Sequence, residues 1–268
     1  MGENRLTGLE LLDLLWVMNS PLRLAIATSV LALVAGCRSD KAAASGQPDY
    51  VWKFDGKTNY VQVESEAMPA LGSGDFAVEM WFKPDTLGVR WDLFDWKDTG
   101  DFTGPRYNDL ALYFDGGSLR GYSAIGPDGK AWAMQELTGA HAWHHAAVVR
   151  SGASLLLLLD NTVSRSAVPG SVSPTGPLRI GANRQNGTGS KGPVQFPFAG
   201  LISDVRIYTS ALDFATFAQN VRLGSVPPDL PLVRRWKLNE DTASVALEFV
   251  HEMNGSANGA SMVTTSSP

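Results

Sequence analysis

Cysteine is almost absent from this chain: Cys37 is the single one in 268 residues. One thiol closes no internal disulfide, and with four histidines it builds no cysteine/histidine zinc site. An excess of positive charge is missing too. The 22 basic residues face 27 acidic ones, net −5, with no basic patch to hold nucleic acid. No G-x-S-x-G elbow for a serine nucleophile occurs. The carboxylate pattern E-x-D-x-x-E, which places an acid and a nucleophile around a glycosidic bond, is also missing. What is plentiful is glycine (27) and proline (15) in a chain that is 44% hydrophobic. That composition suits a turn-rich, all-β globular protein, and β-sandwiches run to ~200–250 residues as one domain.

The clearest strand spans residues 201–208. It alternates Leu201, Ser203, Val205 and Ile207 on one side with Ile202, Asp204, Arg206 and Tyr208 on the other. Asp213 follows as an N-cap for a short helix carrying Phe214, Phe217 and Val221 at helical spacing. Further strands are expected over residues 50–54, 60–63, 76–82 and 91–96. Asp115-Gly116-Gly117 and Ser151-Gly152 mark hairpins. The apolar run 155–159 predicts a strand covered on both faces. A second pattern from residue 229 is expected to supply closing edge strands of the same sandwich, or the stub of a second module.

At the other end, residues 24–35 are nearly all apolar, too short for a membrane span and right for a signal-peptide core. Val34-Ala35-Gly36-Cys37 resembles the lipobox of bacterial lipoproteins, which implies cleavage before Cys37 and diacylation of its thiol. The expected organisation is a signal segment over 1–36, with Met18 as a more ordinary start than Met1. A flexible tether over 37–49 follows, then a sandwich over 50–226 and edge strands with a polar tail over 227–268. The protein is thus expected in the bacterial envelope, membrane-anchored and extracytoplasmic.

Four segments, in order, resemble the laminin-G-like domains of the concanavalin A-like jelly rolls. They are FDGKTNYVQV at 54–63, GDFAVEMWFKP at 74–84, WHHAAVVR at 143–150 and the strand-helix stretch 198–214. The resemblance implies an all-β jelly-roll sandwich of two antiparallel sheets with a short helix after the last core strand. It also implies a buried tryptophan at Trp81. His144 and His145 then face opposite sides of one strand, the first or second in the core and the other exposed. The resemblance also leaves room for a calcium site, since this fold brings the segments holding Asp55 and Asp204 together, with Asn59 or Asp75 adding an oxygen. The alternative is that Asp204 pairs with Arg206 or a neighbouring lysine and Asp55 caps a turn.

For a ligand site the informative residues are the rings between the second and third segments: Trp91, Trp96, Tyr107, Tyr113, Tyr122 and Trp132. Sugars stack on exposed rings while fixed polar groups bind their hydroxyls. The same rings alternatively fill the core. The reading is a binding module for glycan or glycoprotein rather than an enzyme. Its alternatives are a structural or adhesive surface domain, and a carbohydrate-active enzyme.

Overall fold

Strands with one apolar and one polar face are stable only when the apolar faces meet, and two large antiparallel sheets meet here in that way. The computed structural model describes residues 50–99, 108–125, 129–168, 170–185, 191–219, 231–236, 245–246 and 255–264, all within the compact unit Gly46–Pro268. The expected signal segment, Cys37, Tyr107 and Val221 lie outside the described residues.

The first sheet is ordered β10 (Thr162–Ala167), β9 (Ser154–Leu159), β8 (His144–Ser151), β3 (Phe76–Pro84), β14 (Ala199–Tyr208), β1 (Tyr50–Asp55) and β18 (Ser261–Thr264). β15 (Leu232–Trp236) pairs farther along β14. The second is ordered β16 (Val245–Ala246), β17 (Gly255–Asn258), β2 (Tyr60–Val63), β11 (Leu178–Ile180), β4 (Trp91–Lys97), β5 (Asn108–Asp115), β6 (Ser118–Ile125) and β7 (Gly129–Glu136). A two-stranded ladder of β12 (Asn183–Arg184) and β13 (Val194–Gln195) stands apart. The arrangement is a jelly-roll sandwich. Strands from residues 232–264 hydrogen-bond into both sheets.

Between the sheets lie Phe76, Val78, Met80 and Phe82 of β3, with Trp91, Phe94 and Trp96 of β4 and Leu155, Leu157 and Leu159 of β9. The leucine run of β9 is unbroken because its other face is covered too. Leu156 and Leu158 pack with Tyr208, Leu212 and Phe217 in a second cluster under the helix α1 (Phe214–Gln219). Asp213 caps that helix: it accepts the Thr216 backbone N–H at 2.9 Å. At the β5–β6 turn, Gly116 and Gly117 hold φ of 58° and 85°, the left-handed pair that a two-residue hairpin needs.

Two expectations need correction, while that of a buried Trp81 holds. In β14 the pairing with β3 slips between Ser203 and Arg206, with Asp204 at φ 52°. This bulge inserts one residue and reverses the alternation. Ile202, Val205 and Ile207 therefore share the core face, and Leu201 is left half-buried. Trp81 is buried, but on the outer side of β3, while Phe82 and Met80 face the core. Both histidines are buried. His145 lies under the covered outer face of the first sheet, and His144 packs on Phe82 on the other side.

Glu79 explains what fills that outer face. It accepts the His145 Nε2–H at 2.7 Å and the Tyr208 hydroxyl at 2.9 Å, and Arg206 stands 3.5 Å away. His145 is stacked between Trp81 at 4.5 Å and Phe217 at 4.0 Å. Burial opposes ionisation of Glu79, yet His145, Arg206 and Tyr208 together hold its carboxyl below the ordinary value. His144 makes a separate contact, with Asp160 at 2.9 Å and the Gly139 carbonyl at 3.1 Å.

Removing Glu79 leaves the His145 Nε2–H and the Tyr208 hydroxyl without their buried acceptor and takes a carboxylate partner from Arg206. Glu79→Ala should therefore destabilise the fold by about 3–5 kcal/mol in urea unfolding, whereas exposed Lys53→Ala should stay within about 0.5 kcal/mol. Equal midpoints for the two variants would show that the network contributes nothing to stability.

Candidate functional site

The outward side of the second sheet is where the remaining alternation goes. β4 sends Trp91, Phe94 and Trp96 inward, and a bulge between Asp92 and Phe94 keeps Asp92 in phase with Asp95 and Lys97 on the opposite face. Cross-strand neighbours share a face, so the register builds rows across the sheet. Asp92 lies opposite Tyr113, and Tyr113 opposite Arg120. Asp95 lies opposite Ala111, Ala111 opposite Tyr122 and Tyr122 opposite Trp132. Lys97 lies opposite Asp109.

Large rings beside the small Ala111 leave a hollow of about 270 Å³, lined by Arg90, Asp92, Asp109, Tyr113, Tyr122 and Trp132 among others. Tyr113 meets Tyr122 edge-on at 6.2 Å, and Tyr122 meets Trp132 at 5.4 Å. The Trp132 indole N–H donates to the Tyr113 hydroxyl at 3.0 Å, which fixes the outermost ring. The far wall comes from the β12–β13 ladder through Asn183, Gln195 and Phe196. Phe196, at φ 47°, is pinned there because its carbonyl accepts the Asp92 backbone N–H at 2.9 Å.

A polar chain runs along the floor. Lys97 stands 3.4 Å from Asp95 and donates to the Asn183 amide oxygen. The Asn183 amide donates to Asp92 at 2.6 Å, and Arg90 reaches Asp92 at 3.5 Å. Burial pushes the Asp92 carboxyl up to about 7 against the pull of Arg90 and Asn183. Burial, reinforced by the negative charge of Asp95, pushes Asp109 up to about 8. Near neutral pH Asp109 is therefore mostly protonated and Asp92 partly so, and a protonated carboxyl both donates and accepts hydrogen bonds.

The expected ring set divides. Tyr113, Tyr122 and Trp132 are brought together, with Trp132 41% exposed. Trp91 and Trp96 are not part of it: both point inward, Trp91 stacked on Phe114 at 5.0 Å and Trp96 bonded to the Gly176 carbonyl at 3.1 Å. Asp55 and Asp204 do not meet. Asp55 lies opposite Ala199 on β14, five positions or about 16 Å from Asp204. Asp55 caps its own turn, accepting backbone N–H groups of Lys57, Thr58 and Asn59 at 2.9, 3.2 and 3.3 Å. Asp204 is taken by Arg206 and, at 2.7 and 3.0 Å, by Arg235. Among the described residues no group of three or more carboxylate, histidine or cysteine side chains is placed to hold a metal. Sequence reasoning missed Arg90, Asp92, Asp109, Asn183 and Phe196. The acidic residues of 91–97 were visible as a mixed strand, but the bulge that aims them follows from pairing.

A concave hollow lined by rings with a few polar groups has the ordinary form of a small-molecule site. The chain belongs to the concanavalin A-like lectin/glucanases superfamily, whose laminin-G class (Laminin_G_3) matches residues 55–216. No curated protein matches it in sequence. Among solved structures it is similar to a proposed carbohydrate-binding protein from Bacteroides ovatus, with TM-score 0.61 and 18% identity over 83% of this chain. The chain spans 61% of that protein's length. It is also similar to the heptameric SAP-like pentraxin of Limulus polyphemus, with TM-score 0.55 and 14% identity over 81% of this chain and 96% of that one. A third likeness is to the CBM40 of the Ruminococcus gnavus IT-sialidase bound to α2,3-sialyllactose. There the TM-score is 0.51 and the identity 13%, over 67% of this chain and all of that one. At these identities the shared property is the fold.

The raised carboxyl at Asp109 has a consequence for stability. In the unfolded chain it ionises near 3.8, in the fold near 8. Between those values the folded state holds a proton that the unfolded state has lost, so stability falls as pH rises. Asp109→Asn should flatten this decline between about pH 4 and 8. A profile unchanged by the substitution would show that Asp109 is ionised in the folded protein.

Proposed function

We propose that the protein is a lipid-anchored, extracytoplasmic glycan-binding module and that the hollow on the second sheet is its sugar site. The observation that carries this reading is the set of Tyr113, Tyr122 and Trp132 around a space of about 270 Å³ floored by Asp92, Asp109 and Asn183. Ring faces accept the apolar face of a sugar, and the floor groups bond its hydroxyls. The volume lies just below the roughly 300–1,000 Å³ of small-molecule sites, room for about one sugar ring. Carbohydrate-binding proteins among the structural neighbours support the same reading. Exposure of Trp132 and of Phe196, 41% and 37%, favours it over a purely structural domain.

Hydrolysis of a glycan is the second reading, and the carboxyls of Asp92 and Asp109 in one hollow speak for it. A retaining or inverting glycosidase needs one carboxyl protonated and its partner ionised. Both of these carboxyls are raised, to about 7 and about 8. Neither is set low as a standing nucleophile, and the chain lacks the E-x-D-x-x-E carboxylate pattern, which together favour binding without cleavage.

The anchor rests on the apolar run 24–35 followed by Cys37. Two acyl chains give stable attachment where one gives only marginal binding. Wild-type protein should enter the detergent phase of a Triton X-114 partition and Cys37→Ser the aqueous phase. Wild-type protein in the aqueous phase would refute the anchor.

On a glycan array, Trp132→Ala should lower binding at least about tenfold, as loss of one stacking contact of about 1.5 kcal/mol implies. The thermal midpoint should change little, because Trp132 is partly exposed on the edge strand β7. Undiminished binding would place the site elsewhere.

A further inference from the structure

We propose that the sugar taken by this hollow carries an oxyanion, a carboxylate or a sulfate, that docks on Arg90. This rests on the hollow being a sugar site and adds the class of sugar. The Arg90 guanidinium carbon lies 3.9 Å from the Phe196 ring centre and 4.6 Å from that of Tyr113. Two ring faces hold a planar cation in place without using its hydrogen-bond donors. One donor is committed, Nε to Asp92 at 3.5 Å. The two terminal nitrogens bond no other group among the described residues, and the side chain is 35% exposed. A fixed guanidinium fork with free outer N–H groups fits a planar or tetrahedral oxyanion with two parallel hydrogen bonds.

The surrounding charge agrees. Lys130, exposed and lining the same hollow, has no ion-pair partner among the described residues. Lys97 is engaged by Asp95 and Asn183. With Asp95 offsetting Lys97, Arg90 and Lys130 are the cations of the lining left to meet a charge brought by a ligand. Burial keeps Asp109 mostly and Asp92 partly protonated near neutrality, which weakens their repulsion of an incoming anion. A guanidinium whose outer N–H groups are open gains most from a ligand that brings its own negative charge into a partly dry site.

The test uses the detergent-solubilised full chain and an array of matched sugars: neutral hexosides, the corresponding uronides and the corresponding 6-sulfates. At least one acidic series should bind about tenfold or more tightly than its neutral counterpart, and which series does so identifies the oxyanion. Arg90→Gln should abolish the preference, bringing the acidic sugars to the level at which the same variant binds the neutral ones. Arg90→Lys should keep part of the preference, and 0.5 M NaCl should weaken the acidic series selectively. Equal binding of neutral and acidic sugars, lost in Trp132→Ala but not in Arg90→Gln, would overturn the oxyanion and leave the sugar site standing. Failure of every sugar to bind would overturn both.

Discussion

One buried carboxylate, Glu79, is the constraint around which the first sheet is arranged. It sits in the middle of a long apolar strand, almost without solvent, and must be satisfied from neighbouring strands. His145 comes from β8, Arg206 and Tyr208 from β14, and all three reach it through the outer face of β3. A charge desolvated this completely tolerates few alternatives. The three strands must lie side by side in one register, and the stack of Trp81, His145 and Phe217 closes over them. Asp204 and Arg235 extend the same network to β15, so the strand at residues 232–236 is drawn into the sheet by charge as well as by Trp236 in the core.

The segments that make the family recognisable converge here. Glu79, His145, Arg206 and Tyr208 come from three of the four resembling stretches, and none lines the hollow. They specify how the sheets are built and leave the ligand open, as expected when function is grafted onto a shared fold. The hollow is made from the other sheet, by β4, β5, β6 and β7 together with the β12–β13 ladder. Binding chemistry can change there without disturbing the network on the opposite side.

This division explains what was legible in the sequence. The strands, the glycine hairpins, the Asp213 cap and the doubly covered leucine run all follow from local pattern, and the structure contains each of them. The two bulges do not follow from local pattern. At Ser203–Arg206 the strict alternation assigned Leu201 to the core, and the inserted residue gave that place to Ile202. At Asp92–Phe94 a second insertion decided that Trp91 and Trp96 are core while Asp92 faces the hollow. A one-residue shift exchanges the two faces of a strand, so ring content alone could not separate ligand-facing from buried aromatics. Asn183 and Phe196 were out of reach for another reason: they arrive from about 90 residues further along the chain, through tertiary hydrogen bonds.

The central claim is that ligand recognition belongs to the outer face of the second sheet and not to the network built by the recognisable motifs. The tryptophan indole N–H resonances report both places at once. In a ¹⁵N-labelled sample titrated with a methyl uronide, the account predicts a progressive, saturable shift of Trp132, with Trp81, Trp52 and Trp96 unmoved. Shifts centred on Trp81, or no shift at Trp132 at saturating sugar, would contradict it.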